Sequence, residues 1–210
     1  DGIHILMDMQ GHSAKNRLPI FVHKPAPIQA SWLAQGSTGI PEIDYFIGSP
    51  HITPKSEEKH YVEKVLRLPE ISQCFTPPDF DVKINSLPAL KNNFITFGCV
   101  NKISKINDNV IALWSKILLS ISNSKLLIKN PYLENQKVAE NFLERFEKQG
   151  ISKNRLILRG SSITRKELLE VYNEIDIVLD PFPFQGNTTT CEAVWMGVPA
   201  IVLKGDRYLF

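Results

Sequence analysis

The sequence predicts a doubly wound α/β fold across residues 91–210, and three observations carry that expectation. Short apolar, β-rich runs alternate with longer segments whose apolar residues recur at helical spacing. The short runs are apolar on both faces, as strands of a parallel sheet covered on both sides must be. Cap and stop residues separate the two kinds of segment.

Taken in order, "NFITFGCV" (93–100) reads as the first strand of this part. Over 107–121, Val110, Ile111, Leu113, Trp114, Ile117, Leu118 and Ile121 fall on one helical face, with Asn107 or Asp108 as cap. "SKLLIKN" (124–130) reads as a strand, and 133–150 as an amphipathic helix stopped by Gly150. "RLILRG" (155–160) is the next strand. Residues 164–176 form a helix opened by the capping box Thr164…Glu167. A strand at 176–180, a short helix at 188–197 and a strand at 199–203 complete a βαβαβαβαβ order, which defines a Rossmann-like, doubly wound class. Residues 1–82 are less regular. Strands are expected at 2–9 and 27–34, a helix at 13–23, and a mixed helix and strand over 56–69, together the second part of another α/β domain. The Pro- and Asn-rich stretch 74–93 reads as the linker, so the domains are placed at 1–82 and 83–210.

Composition narrows the class of function. A net charge of +2, with both signs interspersed, gives no basis for nucleic-acid or membrane-surface binding. Three scattered cysteines form no CxxC and fit a reducing compartment. The longest apolar run, 193–203, is shorter than the ~20 residues a membrane span needs. The chain starts without Met and stops at "GDRYLF" with no closing helix, which reads as a piece of a longer chain.

Ligands of an open parallel sheet bind beyond the carboxyl ends of its strands. Two loops there carry chemistry. In "DPFPFQGNTTT" (180–190), Gly186 permits close backbone approach, and Asn187 and Thr188–Thr190 open a helix. The free N–H groups and dipole of such an end suit a phosphate. Glu192, a turn further in, can accept from ribose hydroxyls. A plain threonine cap fits the same residues. In "CVNKISKIND" (99–108), Lys102 and Lys105 can neutralise a diphosphate leaving group, or stand as solvated loop lysines. The loop 34–39, "AQGSTG", can turn backbone amides to a ligand or serve as a simple connection. Neither GxxxxGK[ST] nor GxGxxG occurs, no histidine pair has HExxH spacing, and GxSxG is absent.

Several long phrases then become recognisable. "DGIHILMDMQGHSAKNRLPIFVHKPAPIQASWL" (1–33), "GSTGIPEIDYFI" (36–47), "FGCVNKISKI" (97–106) and "DPFPFQGNTTTCEAVWMGVPAIVLKGDR" (180–207) resemble the catalytic region of the TPR-containing O-GlcNAc transferase/SPINDLY family. The resemblance runs end to end. It implies a GT-B glycosyltransferase with two Rossmann-like halves and a nucleotide sugar between them. Residues 1–82 would then be the C-terminal part of the acceptor-side domain, and 83–210 the nucleotide-sugar-binding domain, truncated at its end.

The same resemblance implies inverting transfer of a sugar, GlcNAc favoured, from a donor such as UDP-GlcNAc to Ser or Thr of proteins. It implies no metal and no further cofactor. Carried over by position, Lys105 is the catalytic, phosphate-contacting lysine. Thr188 and Thr189 hold the diphosphate with Gly186 and Asn187, Glu192 takes the ribose, and Leu33 with the 34–39 loop lines the sugar side. Protein acceptors would be recruited by a TPR array outside residues 1–210, in the cytoplasm. Three positions depart from animal members: Asn187 stands where they have His before the threonines, Leu168 where a His stacks on uracil, and Ala34 where "WLG" has Gly. A GDP-fucose donor, a glycan or Asn acceptor, and a non-catalytic nucleotide-binding module are the alternatives. Residues 1–210 alone are expected to bind donor weakly and not to turn over.

Overall fold

A computed structural model describes residues 2–34 and 36–203. The chain forms two compact units, one running to Cys74 and the other starting at Phe75.

The first unit is a four-stranded parallel sheet in sequential order: β1 (Ile5–Asp8), β2 (Ile28–Trp32), β3 (Tyr45–Gly48) and β4 (Lys64–Arg67). Leu18, Phe21 and Ile43 make its buried apolar cluster, with Leu6 and Ile40 packed against it. The helix expected over 13–23 shrinks to α1 (Leu18–Phe21). Lys15 lies in the left-handed region at φ 65°, and Asn16 Oδ1 takes the Leu18 N–H, so the chain turns before Pro19 can start a helix. Between β3 and β4 a single 3-10 segment covers Lys55–His60.

In the second unit the strands are β5 (Ile95–Cys99), β6 (Ser124–Lys129), β7 (Leu156–Arg159), β8 (Ile177–Leu179) and β9 (Ala200–Ile201), all parallel, in the order β7-β6-β5-β8-β9. The chain winds outward from β5 to β7, returns to the other side of β5, and winds outward again. The point of return, between β5 and β8, is where doubly wound sheets open a crevice at their carboxyl ends.

Alternation along the strands sends side chains to two cores. Phe97, Cys99, Leu126, Ile128 and Leu179 meet α3 (Asp108–Ser120) and α4 (Gln136–Glu147) through Val110, Trp114, Leu118, Phe142 and Phe146. On the opposite face Leu127 and Val178 meet α5 (Arg165–Glu170), the 3-10 turn that continues it to Glu174, and α6 (Thr188–Trp195). Gly98, in the central strand, allows the close approach of Ile175, whose Cδ1 would lie 2.3 Å from any added Cβ. α4 ends as its glycine predicts: Gly150 has φ 82° and Ile151 N–H donates to Phe146 O at 3.1 Å.

The stretch 74–93, read from sequence as a linker, is instead largely bound to the second unit. It contains α2 (Pro88–Asn92), Phe80 and Val82 pack on the second core, and the Asn85 and Ala89 N–H groups donate to Asn173 and Asp176. Its prolines and asparagines shape a bonded strap rather than a free tether. Among the described residues no helix is long and apolar enough to cross a membrane.

Candidate functional site

The loops after β5 and β8 flank the switch point, and side chains from both meet there. Asp180, the last residue before the β8 loop turns away, is 4% exposed. Its carboxylate accepts the Gly186 N–H at 2.9 and 2.8 Å, the Asn101 amide at 3.1 Å and the Thr190 hydroxyl at 3.4 Å. That grip folds 180–186 into a compact turn. Burial pushes the Asp180 carboxyl up, opposed by the Gly186 N–H and the Lys105 ammonium. Gly186 has no room for a side chain: an added Cβ would lie 2.5 Å from Thr189 Oγ1 and 2.8 Å from Asn101 Nδ2. Glycine is there for the close approach that the sequence predicted, although the neighbours are this chain's own side chains.

Lys105 closes a 3-10 turn after β5. Its Nζ donates to Gln185 O at 2.7 Å and sits 4.4 Å from the centre of the Phe184 ring. Burial pulls the ammonium pKa down and Asp180 pulls it back up. The structure therefore brings Lys105 to the 180–190 loop, while Lys102 is exposed. One of three N–H groups is spent on Gln185, which leaves cationic donors for an anion.

α6 starts beside it. The helices α3, α4 and α5 are each capped by a side chain, from Asn107, Asn135 and Thr164. At α6 the cap residue is Asn187, and its side chain makes no cap hydrogen bond. Thr190 and Cys191 N–H groups turn to Asn187 O, whereas those of Thr188 and Thr189 have no acceptor within the helix geometry. The plain cap that the sequence left open is thus not the arrangement found. Tyr172, buried under α6, donates its hydroxyl to Thr189 O at 3.0 Å and ties down the first turn.

Glu192 is buried in α6, and its carboxyl is pushed up by that burial; Arg165 Nη2 opposes this from 3.8 Å. Arg165, Asp180, Asn101 and Tyr172 were all missed as candidates in the sequence. Asp180 stands in the quoted 180–190 phrase, but its partners lie 79 and 6 residues away, a pairing no local pattern reveals.

In the first unit, Leu33 has φ 59° and is 40% exposed just after β2. The loop after it is held from within. Buried Glu63 accepts the Ser37 hydroxyl at 2.7 Å, the Thr38 N–H at 2.7 Å and the Thr38 hydroxyl. The polar groups that were candidates for a ligand at 37–38 are spent on that carboxylate. Asp1, Gln35 and residues 204–207 of the quoted phrases lie outside the described residues. Among the described residues no three His, Cys, Asp or Glu side chains gather as metal ligands.

The fold and this mouth define a doubly wound α/β protein with a cation and an uncapped helix end at its switch point, an arrangement suited to an anion. The family model of glycosyl transferase family 41 matches residues 1–80 and 76–208, and the chain belongs to that family. It is 37% identical over 206 residues to a probable UDP-N-acetylglucosamine–peptide N-acetylglucosaminyltransferase SPINDLY from Eustoma exaltatum subsp. russellianum, covering 98% of this chain and 22% of that protein. The Arabidopsis thaliana protein of the same description is 35% identical, with 98% and 23% covered. The chain thus spans about a fifth of the length of these relatives. A solved structure of a mutant O-GlcNAc transferase from Thermobaculum terrenum superposes with a TM-score of 0.90 at 35% identity, over 99% of this chain and 39% of that one. The α/β, GT-B-like class expected from the sequence is the class observed.

Proposed function

We propose that the chain is part of the catalytic region of an inverting glycosyltransferase that moves GlcNAc from UDP-GlcNAc to Ser or Thr of proteins. The observation that carries this reading is the uncapped first turn of α6 at the switch point, with the Lys105 ammonium held beside it. Thr188 and Thr189 offer backbone and hydroxyl donors to the diphosphate, with Gly186 and Asn187 shaping the approach. Lys105 offsets the negative charge that grows on the diphosphate as the sugar leaves. Glu192 accepts from the ribose, and Leu33 contacts the sugar. The donor is the only small molecule this scheme requires, and the lysine and helix end do the work a metal would do. The acceptor-side role expected of 1–82 is assigned to the unit that runs to Cys74, and the donor-binding role expected of 83–210 to the unit that starts at Phe75. Acceptor proteins reach the enzyme through a TPR array in the cytoplasm, with no nucleic acid or membrane partner.

A second donor is kept for one reason. Leu168, at the position where animal members stack a His on uracil, packs against the second core instead. A panel of nucleotide sugars, including UDP-GlcNAc and GDP-fucose, tested on full-length protein with intact-mass readout of acceptor proteins decides between them. Lys105→Ala is expected to lower turnover by about 10²–10³-fold. Unchanged turnover in that variant removes the role given to the lysine, and sugar-only products remove the protein acceptor.

A further inference from the structure

Asn101 is bound on three sides, from the ends of β6 and β8 and from the first turn of α6. Its backbone O accepts the Asn130 amide at 3.0 Å, from the end of β6. Its own Nδ2 donates to Asp180 Oδ1 at 3.1 Å and to Thr189 Oγ1 at 3.1 Å. Chemistry fixes which way this amide faces. An ionised carboxylate only accepts, so the Asn101 atom turned to Asp180 is nitrogen. The same nitrogen faces Thr189, so the Thr189 oxygen must accept there. Its hydroxyl proton is then not spent on Asn101, and among the described residues no other acceptor takes it.

We propose that Asp180 is a positioning residue of the donor site: through Asn101 it forces Thr189 to accept internally, so that the Thr189 O–H is left to donate to the diphosphate. The inference rests on the donor-site reading above and adds to it the group that sets the direction of the threonine. The bidentate hold on Gly186 N–H serves the same end, because it keeps the 180–186 turn against Asn101 and Thr189.

Replacing Asp180 by Asn separates this idea from plain electrostatics. Removing a negative charge beside an anion site by itself tightens anion binding. In Asp180→Asn, however, the amide oxygen takes the Oδ2 place, where the Gly186 N–H donates at 2.8 Å and the Thr190 hydroxyl at 3.4 Å, and the nitrogen takes the Oδ1 place that faces Asn101. The new amide nitrogen then meets Asn101, which must turn its oxygen inward, and the Thr189 proton is drawn to that oxygen.

The test is calorimetry on full-length protein with UDP, with uridine as the phosphate-free control. Asp180→Asn is expected to weaken UDP by about tenfold while leaving uridine unchanged. In a Thr189→Val background the same change is expected to cost UDP affinity less than about twofold, since no proton remains to be redirected. If Asp180→Asn is not recovered folded, Asn101→Asp, whose carboxylate only accepts and so draws the Thr189 proton, enters the same cycle and is expected to cost more UDP affinity than in the Thr189→Val background. UDP bound as tightly or more tightly by Asp180→Asn overturns the proposal, as does an equal loss in the Thr189→Val background. Should wild-type protein bind GDP and not UDP, the UDP donor is wrong and the cycle is run with GDP. Binding of neither nucleotide sinks the donor-site reading and this inference with it.

Discussion

Single residues show two opposite effects of the fold on a carboxyl, one half-exposed and one buried. Asp44 accepts from Lys24 Nζ at 2.6 Å and Gln29 N at 2.7 Å, and the Lys24 hydrogen bond is the main cause holding its pKa below the ordinary 3.8. A depressed folded pKa stabilises above the unfolded value and loses that stability as pH falls through the folded one. Urea stability is therefore expected to fall below about pH 4, and Asp44→Asn to flatten that limb of the curve; an unaltered limb refutes the assignment. Asp180 has the reverse sign. Its folded pKa is raised by burial, so the ionised form costs stability above that pKa, and the cost is relieved on acidification. On acidification wild type is accordingly expected to gain thermal stability relative to Asp180→Asn, and a gap between the two midpoints that does not move with pH contradicts the sign. Residue type and loop position in the sequence suffice to suggest Lys102, Lys105 and the threonines as candidates, and the contact with Gln185 then sets Lys105 apart from Lys102. They do not suffice for Asp180 and Asn101, because the meaning of these two lies in a contact across 79 residues.

Among the elements, α6 stands out by what its cap does not do. A side chain that filled its first turn would stabilise the helix by about 1 kcal/mol. It would also occupy the amides proposed for phosphate. Asn187→Asp is expected to raise the thermal midpoint slightly and to weaken UDP binding on full-length protein about tenfold. A midpoint and affinity that rise together contradict the proposed use of that helix end. The periods that mark β5, β6, α3 and α4 were readable because the two strands are buried along nearly their whole length and the two helices bury one face. Element ends were less so. α1 and α5 are shorter than their apolar patterns, where a left-handed Lys15 and a tightening to 3-10 geometry after Glu170 intervene.

For the whole molecule, the class of fold was readable and the strand order was not. Nothing local says that β8 pairs with β5 rather than extending the sheet beyond β7; that follows from covering both faces while the chain winds one way. The order has a measurable consequence. Hydrogen exchange should be slowest at the amides of β5 and β6, which have strand neighbours on both sides, and faster at β9 on the edge. Equal protection across the sheet contradicts this order.

The crevice at the return point is made by the winding of the backbone, with α3 and α6 leaving toward opposite faces. Its existence does not depend on the identity of exposed side chains at its rim, such as Asn187 and Lys102. On the proposed donor site, a library varied at those two positions is expected to reach other activated sugars on an unchanged chassis, provided Asp180, Asn101 and Gly186 are left alone. The scaffold and its selectivity are separable parts for an engineer.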